Sequence, residues 1–244
     1  EYMIERMKRL LTRTIWALTK QLEAGDFVPV AYEMRFENGK IDRVDLCKDK
    51  DKVYVKVLDY KTGSKAFDVV ALYHGLQLQL MVYMDAAVKM TQKHYPDSEV
   101  IPAGVFYYRL NDPLVEKKVV GEEEEIWQKV LKELKVDGVM NLKDETLEHL
   151  DHCQAGESAV IPVKYNKNGS LSKNSKVASE QEFEVMMRHA LGKVLKVHRK
   201  ILSGEVAAFP YRRKQESGCD YCAYRHICGF DQKYRDTNIG IFLR

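Results

Sequence analysis

GKIDRVDLCKDKDKVYVKVLDYKTG, residues 39–63, reads as two β-strands joined by a charged hairpin. The first strand carries Asp42 and Asp45. The second ends in Asp59-Tyr60-Lys61 before turning at Thr62-Gly63. Residues i and i+2 of a strand share a face, so Asp59 and Lys61 project together. If the hairpin sets Asp42 beside them, two carboxylates and an ammonium meet. Mg²⁺ takes hard oxygen ligands, usually one or two carboxylates with waters and substrate phosphate. Such an ion polarises a phosphoryl oxygen and lowers the pKa of a bound water. A lysine beside it can orient that water and offset charge in the transition state. The plainer reading is a solvated hairpin end, the commoner fate of charged residues. Against it, Asp59 directly follows Val57-Leu58 on an apolar strand, where a carboxylate without a partner is costly to bury.

Working outward, Tyr2 to Leu22 places Ile4, Met7, Leu10, Leu11, Ile15, Leu18 and Leu22 at helical spacing, with a Lys/Arg-rich opposite face. Gly25-Asp26 ends that helix. Phe27 to Phe36 reads as a strand with Glu33 inside it, either a strand-face charge or an outer-sphere metal residue. Asn38-Gly39 is a tight-turn signal into the next strand. Val53 to Tyr60 forms the third strand. The pattern from about Val70 to Thr91 predicts one long helix, on which Gln79 and Tyr83 lie four apart and share a side. Pro96 and Pro102 bracket a loop, and Ala103 to Leu110 is a fourth, aromatic-rich strand. A strand–helix–strand connection implies a crossover and a mixed sheet. Further on, helices are expected over Glu122 to Leu134 and Asp144 to Cys153, an edge strand over Ile161 to Lys164, and a flexible loop over Asn166 to Ser175. Ser179 and Glu182 form a capping-box pattern that opens a helix to Leu202, stopped by Ser203-Gly204.

The 244 residues carry a net charge of +3, with 45% hydrophobic and 31% charged residues, so the composition is globular and any nucleic-acid footprint must be local. No stretch of this sequence reads as a signal peptide or a membrane span. The longest apolar tract, Val69 to Val88, is interrupted by His74, Gln77, Gln79 and Asp85. The chain starts at Glu1 inside a helical pattern, which reads as a segment of a longer protein.

Three of the five cysteines sit close together, as Cys219-x2-Cys222-x5-Cys228, which excludes a disulfide framework spread along a secreted chain and fits a reducing cytoplasm. Thiolates at this spacing ligate zinc or an iron–sulfur cluster. His226 could complete a Cys3His zinc site. Cys47 and Cys153 are remote ligand candidates or plain buried cysteines. His149, His152 and Cys153 also lie close together in HLDHC, but no acidic or cysteine partner set stands near them in the sequence, so a second metal site is not expected there.

The combination of GKIDRVDL (39–46), LDYKTG (58–63), GLQLQLMVYMDAA (75–87), AGVFYYRL (103–110), SLSKNSKVASEQEFEVMMRH (170–189) and CDYCAYRHICGFD (219–231) resembles the RecB-like branch of the PD-(D/E)XK nucleases. Within it, the chain is similar to the C-terminal nuclease domains of AddB-type (RexB-type) subunits of bacterial helicase–nucleases. The resemblance covers nearly the whole chain. It implies an α/β fold, with a central mixed sheet flanked by helices and a C-terminal Cys-rich tail. The nuclease domain would span residues 1–209, with its core over 1–110 and a helical extension over 111–209. The tail, 210–244, would pack on the same domain.

The resemblance further implies Asp42 and Asp59 as metal ligands, with the backbone carbonyl of Tyr60 as another, and Lys61 as the catalytic lysine. Gln79 and Tyr83 match the QxxxY motif beside the DNA strand. Cys219, Cys222 and Cys228 match three ligands of a 4Fe-4S cluster, which makes His226 a bystander and places the fourth cysteine outside this segment. The family also has an upstream histidine that helps bind metal, and no histidine occurs here before His74. Both the cluster site and the active site would then be incomplete in this segment. The implied function is a Mg²⁺-dependent deoxyribonuclease that trims double-strand break ends for recombinational repair, cutting the 5′-ended strand. Its partners would be DNA, as a single strand from an unwound end, and an AddA-type subunit in a heterodimer, in the cytoplasm and away from membranes. No helicase motif is present, so the sequence carries no sign of ATP use. Two rival readings are a catalytically silent DNA-binding and docking module and a zinc-stapled nucleic-acid-binding domain.

Overall fold

A computed structural model of the chain describes residues 2–37, 39–63, 66–113, 123–208, 210–213, 216–228, 230 and 240–241. Asn38 of the expected turn, Glu122 at the expected start of a helix, and Gly229 and Asp231 of the cysteine tail lie outside them. The chain divides into two compact units, residues 1–191 and 192–244.

In the first unit, helix α1 (Tyr2–Glu23) leads into a meander of β1 (Val28–Phe36), β2 (Gly39–Asp49) and β3 (Lys52–Lys61). Two helices, α2 (Val69–Tyr73) and α3 (Gln79–His94), then cross back to β4 (Glu99–Arg109). After these come α4 (Glu123–Glu133), β5 (Asp137–Asn141), α5 (Asp144–Leu150), β6 (Val177–Ala178) and α6 (Glu180–Leu202). The sheet runs β1-β2-β3-β4-β5-β6 and is mixed. β3 pairs with β4 in parallel, as the crossover requires, and β5 with β6 likewise, while the other pairs are antiparallel.

β3 is buried on both faces and forms the centre of the sheet. One face packs Tyr54, Leu58, Phe106, Tyr108 and Met140 with Ala17 of α1 and Leu147 of α5. Trp16 of α1 meets Trp127 of α4 there, ring centroids 4.7 Å apart. The other face packs Val44, Val55, Val57 and Val105 under Met81, Met84 and Ala87 of α3 and Phe183 and Ala190 of α6. Ile4, Met7, Leu11 and Ile15 of α1 remain exposed. No helix among the described residues is long and apolar enough to cross a membrane.

Three features depart from the sequence pattern. The single helix over 70–91 is two helices, because Gly75 takes a left-handed φ of 87° and stops the first. Asp68 caps that first helix through Ala71 N at 2.9 Å, and Gln77 ties the break to Asp68 N and Ala66 O. Pro102 lies inside β4, next to a bulge in its pairing with β3, and its carbonyl accepts from the buried Asn141 side chain. Residues 161–164 form no strand; isolated bridges Glu157–Lys164 and Tyr165–Leu171 tie that region, and β5 and β6 extend the sheet instead. Glu33 has a φ of 52° and pairs with Lys40 in solvent, so it is a surface charge. The Ser179–Glu182 capping box is formed, with Glu182 Oε2 accepting from Ser179 N at 2.7 Å.

The second unit holds the end of α6, where Gly204, at a φ of 72°, terminates the helix. Beyond it lies a small sheet of β7 (Tyr211–Arg213), β8 (Glu216–Ser217) and β9 (Gly240–Ile241).

On the α1 side of the sheet, Arg43, Asp45 and Lys56 form a buried ionic group. Arg43 grips Asp45 with two bonds of 2.6 and 2.8 Å, and Lys56 Nζ stands 2.9 Å from Asp45 Oδ2. The Lys56 ammonium also lies 4.8 Å from the centre of the Phe27 ring. Removing the anion of this group would leave two buried cations unpaired. Asp45→Asn is therefore expected to destabilise the chain by about 3–5 kcal/mol, measured by chemical unfolding. A loss below about 1 kcal/mol would show that water reaches this group.

Candidate active site

The β2–β3 ladder ends, toward the open mouth of the hairpin, with Arg43 opposite Leu58. The next residues, Asp42 and Asp59, therefore come side by side on the face that α3 covers. Asp42 is half-buried, and its Oδ2 accepts from Tyr60 N at 2.9 Å, which fixes its rotamer. Asp59 is 1% exposed. Its Oδ2 is 2.6 Å from Lys61 Nζ in an ion pair, yet among the described residues no hydrogen-bond donor is aligned with it. Burial pushes the Asp59 carboxyl above the usual range; Lys61 pulls it back, and the charge of Asp42 adds to the rise.

Lys61 donates to Gln79 Oε1 at 2.9 Å, and Gln79 Nε2 donates to Tyr83 Oη at 2.8 Å. Gln79 can do this because the break at Gly75 makes it the first residue of α3. Tyr83 is braced by the edge of Phe36, with centroids 5.7 Å apart. The Tyr60 ring turns to the opposite face against Tyr108, so Tyr60 faces the site through its backbone.

Two residues that the sequence pattern did not single out join this site. Tyr107 is opposite Asp59 in the parallel β3–β4 ladder, and Asp137 is opposite Tyr107 in the β4–β5 ladder. Asp42, Asp59, Tyr107 and Asp137 thus form one row across four strands. The Tyr107 hydroxyl is pushed up to about 12, by burial first and by the charge of Asp59 next. Asp137 accepts from Phe67 N at 2.8 Å, pairs with Lys176 and has Arg109 Nη2 at 3.6 Å. The signal for Tyr107 was the alternation of AGVFYYRL, which needed the parallel register to become legible.

The row fits a hard divalent cation. It offers adjacent carboxylates, one of which carries a buried oxygen without an aligned donor. In the tail, Cys219 is half-buried, while Cys222 and Cys228 are exposed; all three are free thiols in consecutive turns. Phe230 N lies 3.5 Å from Cys228 Sγ and donates to it. Thiols suit iron or zinc, and the tail supplies three thiols where either centre takes four ligands.

With this geometry in hand, comparison places the chain in a family. The sequence profile of the PD-(D/E)XK nuclease superfamily matches residues 1–229, and the chain belongs to that superfamily. Among curated relatives, a protein of Lachnoclostridium phytofermentans, named as the B subunit of an ATP-dependent helicase/deoxyribonuclease, is 40% identical over 95% of this chain and 21% of its own length. Proteins of the same name from Alkaliphilus oremlandii and Thermoanaerobacter sp. are 34% and 30% identical, over 97% and 100% of this chain and 22% and 23% of their own lengths. The chain spans about a fifth of the length of the curated relatives it matches.

Because the fold raises the Asp59 carboxyl above its unfolded value of about 3.9, the ionised side chain lowers stability above the native pKa and not below the unfolded one. Asp59→Asn is expected to raise the melting temperature at pH 7 in EDTA, with the gain shrinking as pH falls toward about 3.9. An unchanged or lower melting temperature at pH 7 would mean that the Lys61 ion pair outweighs burial.

Proposed function

We propose that this chain is the metal-dependent deoxyribonuclease domain of a B-type helicase–nuclease subunit that processes double-strand break ends. The observation that carries the reading is the placement of Asp42, Asp59 and Lys61 on adjacent strand ends, with Gln79 and Tyr83 of α3 over them. The names of the relatives support the helicase–nuclease context.

Asp42 and Asp59 would hold Mg²⁺, with the Tyr60 carbonyl as a further ligand. Bound there, the ion would polarise a phosphoryl oxygen and lower the pKa of a bound water. The chain's own residues supply the rest. Lys61, held between Asp59 and Gln79, keeps an ammonium where it can orient the attacking water and offset charge on the transition state. Gln79 and Tyr83 flank the path of a single strand; Tyr83 offers a ring for base stacking, and local Lys and Arg contact phosphates. Cutting of the 5′-ended strand, an AddA-type partner subunit and a cytoplasmic setting complete the proposal. In the tail, Cys219, Cys222 and Cys228 would be three ligands of a 4Fe-4S cluster, with the fourth supplied from outside the tail.

The test is cleavage of linear single-stranded DNA with Mg²⁺ by the chain and by Asp59→Ala, with DNA binding followed in EDTA. The variant is expected to lose cleavage by about 10²-fold or more, the scale of removing one electrostatic stabiliser, while still binding DNA. Cleavage retained in Asp59→Ala would overturn the catalytic assignment. Cleavage absent from both proteins would leave two causes, an active site cut short in this segment or a silent DNA-binding module, and the same assay on the longer subunit separates them.

A further inference from the structure

Asp26, Cys47 and His149 come from three distant parts of the sequence: the α1–β1 turn, β2 and the end of α5. In the fold, one donor atom of each lies within 4.8 Å of the other two. We propose that these three side chains form a site for Zn²⁺ or a similar borderline divalent cation, with His152 as the fourth ligand. The sequence around HLDHC offered no partner set to complete a site; the fold brings Asp26 and Cys47.

The donor chemistry is mixed in the way zinc accepts: one thiolate, imidazole nitrogen and one carboxylate. In a tetrahedral zinc site, ligand atoms are about 3.3–3.6 Å apart, given metal–ligand bonds of about 2.0–2.3 Å. Here Asp26 Oδ2 is 2.8 Å from His149 Nδ1 and Asp26 Oδ1 is 3.0 Å from His152 Nε2, while the Asp26, Cys47 and His149 donors lie within 4.8 Å of one another, so the ion enters by breaking the carboxylate–imidazole hydrogen bonds and re-aiming these side chains. Cys47 is 4% exposed, which makes the site closed on one side, while Asp26 and His152 leave the other open. Asp49 Oδ2 stands 3.7 Å from His149 Nε2, beyond hydrogen-bond reach but on the side of the imidazole away from Asp26. The Tyr54 ring packs on the same imidazole, with centroids 4.9 Å apart.

The backbone under the site is fixed. Asp26 N donates to His149 O, and His152 N to Ala24 O, both at 2.8 Å. Gly25 sits between these two bonds, and a Cβ there would stand 2.4 Å from His149 O. The turn can lie flat on the end of α5 only with glycine at that position. Cys47 is five residues from Asp42 along β2, about 16 Å, and it packs with the opposite sheet face, so this site is separate from the Asp42–Asp59 row. On binding, the Cys47 thiol releases its proton to solvent. The thiolate and the Asp26 carboxylate then balance the two charges of the ion.

The test uses the full chain with Cys219→Ser, Cys222→Ser and Cys228→Ser, so that no tail thiol can respond. Co²⁺ is added as a spectroscopic probe and Zn²⁺ is titrated against a chromogenic chelator. One equivalent of Co²⁺ is expected to bind with a thiolate-to-cobalt charge-transfer band and the strong visible bands of tetrahedral cobalt. Cys47→Ser is expected to abolish the charge-transfer band, and Asp26→Asn to weaken Zn²⁺ binding by at least about tenfold. Asp26 is exposed, so this second variant tests the site even if the buried Cys47→Ser fails to fold. No thiolate band in the tail-silenced chain, or unchanged Zn²⁺ affinity in Asp26→Asn, would overturn the proposal and leave Asp26 as the counter-ion of two histidines.

Discussion

The register between β2 and β3 is the constraint on which the rest depends. Pairing Arg43 with Leu58 and Asp45 with Lys56 sends every odd-numbered position from Arg43 to Cys47 to the α1 side. It sends Asp42, Val44 and Leu46 to the α3 side. A slip of one residue would exchange those sets, placing Asp42 against the aromatic core and Arg43 under α3. The buried Arg43–Asp45–Lys56 group opposes such a slip, because Asp45 would lose Lys56 with no water to replace it. The ionic group on one face therefore holds the two carboxylates of the other face together.

The crossover uses that placement. A continuous helix over 70–91 would satisfy more backbone hydrogen bonds than two short ones. The break at Gly75 instead lets α3 begin at Gln79, where the side chain can reach Lys61. Asp68 and Gln77 recover hydrogen bonds lost at the break, so the interruption is built and not frayed. Lys61 is then held from two sides, by Asp59 on its own strand and by Gln79 above. An ammonium held in this way has little orientational freedom left to lose.

Much of this was legible in the sequence where the signal was local. The meander, the crossover to β4, the capping box at Ser179 and the shared face of Asp59 and Lys61 all follow from periods of two or 3.6 and from turn residues. The helix break was not, because the apolar pattern of residues 70–91 runs on through Gly75 and a glycine within a helix is tolerated. β5 and β6 are too short to show alternation, and residues 161–164 look like a strand while pairing only through isolated bridges. Tyr107 and Asp137 join the row through register alone. The grouping of Asp26, Cys47 and His149 spans more than a hundred residues, and no local pattern could announce it.

β2 thus carries two chemistries, one at each end. Near Asp42 the donors are carboxylate oxygens, set in a row with Asp59 and backed by an ammonium, which suits a small hard cation that keeps its waters. Near Cys47 the donors are sulfur, imidazole nitrogen and carboxylate, which suits zinc and disfavours magnesium. The proposed second site, on the opposite face and anchored by the Gly25 contact with α5, separates the two demands by donor softness. The fold would then assign each metal by which end of a single strand it meets.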